Sequence, residues 1–252
     1  MAAYDFTLPR LFVEADLAAG ARLALDRGQA NYLLNVLRLR DRDGVLVFNG
    51  RDGEWRAEIE PEGRKRAALA VRAATRPQTP RPDLLYLFAP LKHARLDYMV
   101  QKAVEMGVGA LRPVFTRRTQ SARVNRDRMR ANAIEAAEQC GILSIPDVLP
   151  EADLEGALQV LESDRILVFC DEDAAVTDPT KALKGWQEPE RNYIPKLAVM
   201  IGPEGGFTDE ERARVAAHEK VVRVSLGPRI LRADTAAVAA LALVQATLGD
   251  WR

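Results

Sequence analysis

Residues 201–211 read IGPEGGFTDEE, and residues 226–235 read LGPRILRADT. Each stretch begins where an apolar run ends, KLAVM before the first and VVRVS before the second. Glycine permits positive φ and leaves no side chain between the backbone and whatever approaches it. The chemistry to expect is ligand binding through backbone groups at two strand ends, the edge where open α/β sheets keep their ligands. Thr208 and Glu211 have the spacing of a capping box, with Asp209 and Glu210 in the first helical turn. Those carboxylates repel a phosphate, so the loop suits a neutral or cationic ligand. No dinucleotide fingerprint and no phosphate-binding P-loop occurs. Arg229 and Arg232 lie in the second loop and bring charge to the same edge. A plain reading exists for each feature: a tight strand-to-helix turn, a surface Arg229, and Asp234 or Thr235 as an ordinary helix cap.

The elements that must position these loops follow from periodicity. LLYLFA (84–89), LRPVF (111–115), RILVFC (165–170), KLAVMI (196–201) and VVRVSL (221–226) are apolar runs fit for buried strands. Helical patterns separate them. Leu96, Met99, Val100, Ala103, Val104 and Gly107 form one stripe, and Met129, Ala133, Ala136 and Cys140 a second. An alanine-rich helix is predicted from about Thr235 to Leu248. The alternation implies a mostly parallel sheet covered on both faces.

Residues 1–76 have a different texture. Short runs, LFV (11–13), VLVF (45–48), EWRAEIE (54–60) and AALAVRA (67–73), are separated by turns such as NGRDG and PEG. A meander or small barrel is expected there. One helix is predicted in QANYLLNVLRL, with Tyr32, Leu33, Val36 and Leu37 at helical spacing. TRPQTPRPD (75–83) reads as a linker, and LKGWQEPERNYIP (183–195) as an exposed loop.

The chain has 252 residues, 48% hydrophobic and 29% charged, and its formal net charge is zero. That balance hides an asymmetry. Residues 1–130 hold 24 Lys/Arg and 15 Asp/Glu, a net of +9, which leaves −9 for the rest. Arg112–Arg130 alone carries seven arginines against one Asp127. An anionic partner such as nucleic acid is expected; attraction between the halves or between subunits gives the same pattern. Two cysteines, Cys140 and Cys170, make no disulfide framework and no metal spacing, so neither a metal nor an oxidising compartment is expected. The longest apolar run is too short to span a bilayer and the N-terminus lacks a signal-peptide pattern, so a cytoplasmic protein without membrane contact is expected.

IGPEGGFTDEE together with LGPRILRADTAAVAAL resembles the RsmE family of 16S ribosomal RNA uridine N3-methyltransferases, within the SPOUT superfamily. The resemblance runs nearly end to end. PRLFV (9–13), NYLLNVLRLRDRDG (31–44), KHARLDYMVQKAVEMGV (92–108) and RMRANAIEAAEQCG (128–141) each look like a family segment.

The resemblance implies an α/β fold: a PUA-like RNA-binding barrel over 1–76, then a SPOUT methyltransferase domain over 77–252 with a deep C-terminal trefoil knot. It implies S-adenosylmethionine as cofactor, held by Ile201, Gly202, Pro203, Glu204, Gly205, Gly206, Leu226, Gly227, Arg229, Ile230 and Leu231. It implies a homodimer acting on 16S ribosomal RNA of the small subunit. A carboxylate such as Glu204 or Glu172 is tolerable beside a sulfonium, and Glu172 is expected among the catalytic residues. Uridine N3 must lose its proton, and a cation near the base carbonyls stabilises the anion; Arg232 and Arg10 are the candidates, with phosphate contact as their other reading. Neither His93 nor His218 is placed to act as a base. RNA contacts are expected from Arg10, Arg38, Arg40, Lys92, Arg95, Lys102, Arg117, Arg118 and Arg123. The chain departs from the family at Asn31, where His is frequent, at Ile142, where Arg is common, and at Asp234, where Glu is usual. Two further readings share the motifs: a SPOUT enzyme acting on another RNA position, and a non-catalytic RNA-binding protein.

Overall fold

The computed structural model describes residues 7–63, 65–175, 178–187 and 193–251, with the backbone alone at His93. The chain forms two compact units. The first comprises residues 1–80 and 137–145, the second 81–136 and 146–252.

The first unit is a five-stranded sheet in the order β1-β3-β4-β5-β2. Its strands are β1 (Arg10–Phe12), β2 (Arg22–Ala24), β3 (Gly44–Phe48), β4 (Glu54–Pro61) and β5 (Ala67–Arg76). β1 runs parallel to β3, and the other pairs are antiparallel. The alternation in EWRAEIE works as expected: Ala57 and Ile59 enter the core beside Val45, Val47 and Leu69. Asp26 caps α1 (Arg27–Asn31) through a capping box with Gln29. The chain then continues through a π-turn over Tyr32–Val36. That one extra residue per turn breaks the helical stripe: Leu33 is buried, and Val36 points to solvent. Arg38 follows at φ 60°. The segment 137–145 joins this unit where the Phe12 amide donates to Glu138 (2.8 Å) and Arg76 donates to the Gly141 carbonyl (3.0 Å).

The second unit holds a parallel sheet in the order β12-β10-β11-β6-β7-β8, with β9 also paired to β7. These strands are β6 (Leu84–Phe88), β7 (Ala110–Phe115), β8 (Asp147–Val148), β9 (Ala152–Asp153), β10 (Ile166–Cys170), β11 (Leu197–Ile201) and β12 (Val221–Val224). Every residue of β11, LAVMI, is buried, as a central strand covered on both faces requires. The helices are α2 (His93–Glu105), α3 (Arg126–Cys140), α4 (Leu154–Gln159), α5 (Pro179–Lys184), α6 (Asp209–Ala216) and α7 (Ala233–Thr247). α2 buries Met99, Val100, Ala103 and Val104, its expected stripe, and packs with α7. α4 and Val215 of α6 belong to a core with Leu87, Leu167, Phe169, Met200 and Phe207.

The stripe expected on α3 holds at Met129, Ala133 and Ala136, whereas Cys140 is exposed because Ala137 takes the buried position. Part of the expected 183–195 loop is the end of α5, and residues 188–192 lie outside the described residues. Among the described residues, no helix is long and apolar enough to cross a membrane and no acid, His or Cys cluster could hold a metal.

Candidate active site

Three neighbouring strands, β12, β10 and β11, end side by side, and the loops that follow enclose a cavity of about 640 Å³. Asp171 and Glu172 enter from the β10 loop, Ile201 to Phe207 from the β11 loop and Ser225 to Leu231 from the β12 loop. Ala233 and Ala236 of α7 complete the wall. Every residue expected to hold a cofactor lines this cavity except Gly205. The Gly205 carbonyl instead accepts a hydrogen bond from Arg118 at 2.8 Å, and a Cβ there would lie 3.3 Å from the Arg118 side chain.

The glycines of the first loop are required by close approach. A Cβ on Gly202 would fall 2.3 Å from the Phe207 ring, which packs edge-on against Phe169 with centroids 5.0 Å apart. Gly206 has φ +68°, and a Cβ there would sit 2.5 Å from Glu172 Oε1. The turn closes with the Gly206 amide donating to the Pro203 carbonyl at 2.9 Å. The capping box at Thr208 forms as its spacing predicts, and the buried Glu211 also accepts from the Arg117 amide.

Arg95 ties the two loops together. From α2 it donates through Nε and Nη2 to Asp234 at 3.0 and 2.9 Å, and through Nη1 to Glu204. These bonds lower the Asp234 carboxyl below its ordinary range and raise the guanidinium of Arg95. Asp234 is therefore an ion-pair partner and not a helix cap; Arg232 occupies the N-cap position with no side-chain bond.

A second charge cluster borders the cavity. The buried carboxylate of Asp171 accepts from Arg212 of α6 at 3.2 Å and from Arg223 of β12 at 2.5 Å. Arg212 also pairs with Glu172 (3.1 Å) and Asp173 (2.9 Å). Burial works against the Arg212 charge, yet these carboxylates outweigh it and raise its pKa. Burial, helped by Asp171, pushes the Cys170 thiol up to about 12, so no thiolate forms at the cavity floor near neutral pH.

The expected catalytic residues fall in different settings. Glu172 lines the cavity. Arg232 is exposed at the start of α7, outside the cavity lining. Arg10 requires a correction. Its side chain is 5% exposed and donates to Glu54 at 3.0 Å, with Arg76 on the same carboxylate at 2.6 Å. This buried triad occupies the guanidinium that was expected to reach RNA or base.

Among the expected RNA contacts, Arg38, Arg40, Lys92, Arg117, Arg118 and Arg123 are exposed. Arg95 and Lys102 are half-buried and hold partners within the protein, Arg95 on Asp234 and Glu204 and Lys102 on Glu105 at 2.7 Å. Asp171, Arg212 and Arg223 escaped the sequence reading. The one signal for Asp171 was its place directly after the RILVFC strand; nothing in spacing joined it to arginines 41 and 52 residues away.

Comparison with known proteins places the geometry in a family. The RNA methyltransferase domain family matches residues 77–245, and the RNA methyltransferase PUA domain family matches residues 25–71. The ribosomal RNA small subunit methyltransferase E of Synechocystis is 31% identical over 242 residues, covering 95% of this chain and 78% of its own. The crystal structure of ribosomal RNA small subunit methyltransferase E from Neisseria gonorrhoeae, bound to S-adenosyl methionine, is 28% identical. It superposes with TM-score 0.84 over 97% of this chain and 100% of its own. A structure from Legionella pneumophila, in complex with the bound cofactor SAM, is 27% identical with TM-score 0.79, covering 95% and 97%. With two glycine-bearing loops closing one cavity at the carboxyl edge of its sheet, and with relatives matched nearly end to end, this chain belongs to the RsmE family of ribosomal RNA small subunit methyltransferases.

Proposed function

We propose that this protein transfers a methyl group from S-adenosylmethionine to N3 of a uridine in 16S ribosomal RNA of the small subunit. The observation that carries this reading is the 640 Å³ cavity walled by two loops of the family's motif. Its character fits the group. Gly202, Gly206 and Gly227 are among its lining, Leu226, Ile230 and Leu231 offer apolar surface to an adenosine, and Glu172 offers a carboxylate to a cationic sulfonium. No side chain fits at Gly202, because the Phe207 ring packs directly against its Cα and fixes the course of the loop along the cavity wall.

S-adenosylmethionine, when bound, would supply an electrophilic methyl: N3 would give up its proton to an acceptor at the site and take the methyl with the pair so freed, and sulfur would keep the bonding pair of the broken S–C bond. This chain's residues orient and hold. The Arg95 bridge fixes Glu204 and Asp234, and with them both loops, before any ligand arrives, so little reorganisation remains for the chemical step. Arg232, exposed at the start of α7, is free to approach a base carbonyl or a phosphate. Arg38 and Arg40, exposed on the first unit, contact RNA backbone.

The same reading includes the SPOUT trefoil knot at the C-terminus, a homodimer and a cytoplasmic setting. The packing of α7 against α2, α5 and β11 supports the first. Ile230, 99% exposed on the cavity rim, supports a second surface closing over it.

The test is methyl transfer from labelled S-adenosylmethionine to small ribosomal subunits lacking the modification, followed by nucleoside analysis. Label in 3-methyluridine is expected. Label in another nucleoside would overturn the position, and absence of label would overturn the reaction.

A further inference from the structure

A second, smaller cleft of about 150 Å³ lies against the outer side of the first loop. Pro203 and Glu204 line both the cleft and the large cavity, so one residue pair is the wall between them. A group-transfer reaction needs its two reactants in adjoining sites with the reacting atoms at the boundary. The cleft is too small for a second nucleoside and large enough for a single ring.

Its lining is amphipathic. Pro90, Leu91 and Pro203 present apolar surface. Lys92, Gln120 and Glu204 add an ammonium, an amide and a carboxylate. A uracil ring has apolar faces and an edge reading acceptor, donor, acceptor. A cation and an amide suit the two carbonyl oxygens, and a carboxylate suits the N–H between them. Two observations show that Glu204 and the chain leading to Gln120 are held in place. Arg95, anchored on Asp234, donates to Glu204 and fixes its carboxylate at the shared wall. The Thr116 amide donates to Thr119 Oγ1 at 2.9 Å, which closes the turn that delivers Gln120.

Resting on the uridine methyltransferase reading above, we propose that this cleft receives the target pyrimidine base, flipped out of the RNA stack, and that Lys92, Gln120 and Glu204 read its edge. Arg95 is a positioning residue that acts through Glu204.

Gln120→Trp tests this, because Gln120 is exposed and a larger side chain there closes the cleft without entering the core. Measured on the full-length protein, the variant is expected to lose about 100-fold in single-turnover methylation while cofactor Kd and affinity for the subunit stay unchanged. Lys92→Met, which keeps most of the stem, is expected to lose about tenfold in the same rate at saturating subunit, with cofactor Kd unchanged. Wild-type turnover in Gln120→Trp overturns the cleft assignment while the methyltransferase reading stands. Weakened cofactor binding in either variant, or weakened subunit binding as the source of the loss in Gln120→Trp, overturns it equally. If the wild-type protein itself labels no uridine, the failure belongs to the function and not to the cleft.

Discussion

Arg10 shows how a residue type can suggest one job and do another. An arginine beside the first strand of a basic domain invites an RNA contact, yet its side chain is closed inside the first unit on Glu54. Burial raises the Glu54 carboxyl, but hydrogen bonds from Arg76, Thr75 and Arg10 more than offset this and leave it below its ordinary value. A depressed carboxyl stabilises the fold above the unfolded pKa of about 4.5, and that contribution is lost as pH falls through the lower native value. Arg10→Ala should therefore reduce stability by about 2 kcal/mol, less than a lone buried pair because Arg76 still compensates Glu54. Urea denaturation at neutral pH checks this, and the deficit should shrink below the native Glu54 value, where the carboxyl is protonated in both proteins. Cofactor affinity should not change. The sequence offered no sign of Glu54 as partner, because the two residues meet through strand order and not through spacing.

Among the elements, those governed by local rules were legible and those governed by packing were not. Five buried strands, the α2 stripe and the Thr208–Glu211 box could be read because periodicity and capping are local. Strand β2 could not, since three residues with one buried leucine carry no pattern. The π-turn at Tyr32–Val36 obeys a spacing no heptad-like count anticipates, and it turned Val36 outward. The first loop was recognisable from its glycines, but their individual reasons differ: Gly202 yields to Phe207, while Gly205 faces Arg118 and stands behind the wall. Gly202→Ala should thus force Phe207 from its seat against Phe169 and lower cofactor affinity by about tenfold or more. Isothermal titration of the variant, with circular dichroism to confirm the fold, decides it. Affinity equal to wild type would mean that the loop accommodates the methyl without disturbing the wall.

For the whole molecule, the charge asymmetry overstated the cations available to a partner. Arg22, Arg51, Arg72, Arg81 and Arg128 all belong to the basic half and are paired with nearby carboxylates. Net charge counts these arginines as if they faced solvent alone, and only the fold shows how many are engaged. Arg38 and Arg40 are among the exposed remainder. The double variant Arg38→Ala, Arg40→Ala should bind the small subunit more weakly and reduce the slope of log K against log salt by about 2, without altering cofactor Kd. An unchanged slope would remove this loop from the RNA surface.

The first unit takes in its chain twice, at residues 1–80 and again at 137–145. On a ribosome, the early strands therefore emerge long before the segment that completes them. Until Glu138 and Gly141 have been made, the Phe12 amide is without its bond to the Glu138 carboxylate and Arg76 without its bond to the Gly141 carbonyl. The order of synthesis and the order of closure are thus reversed for part of the molecule: the N-terminal unit cannot be finished before the intervening 56 residues have passed. A gene fragment cut at the apparent linker would make a sheet that never receives its last piece.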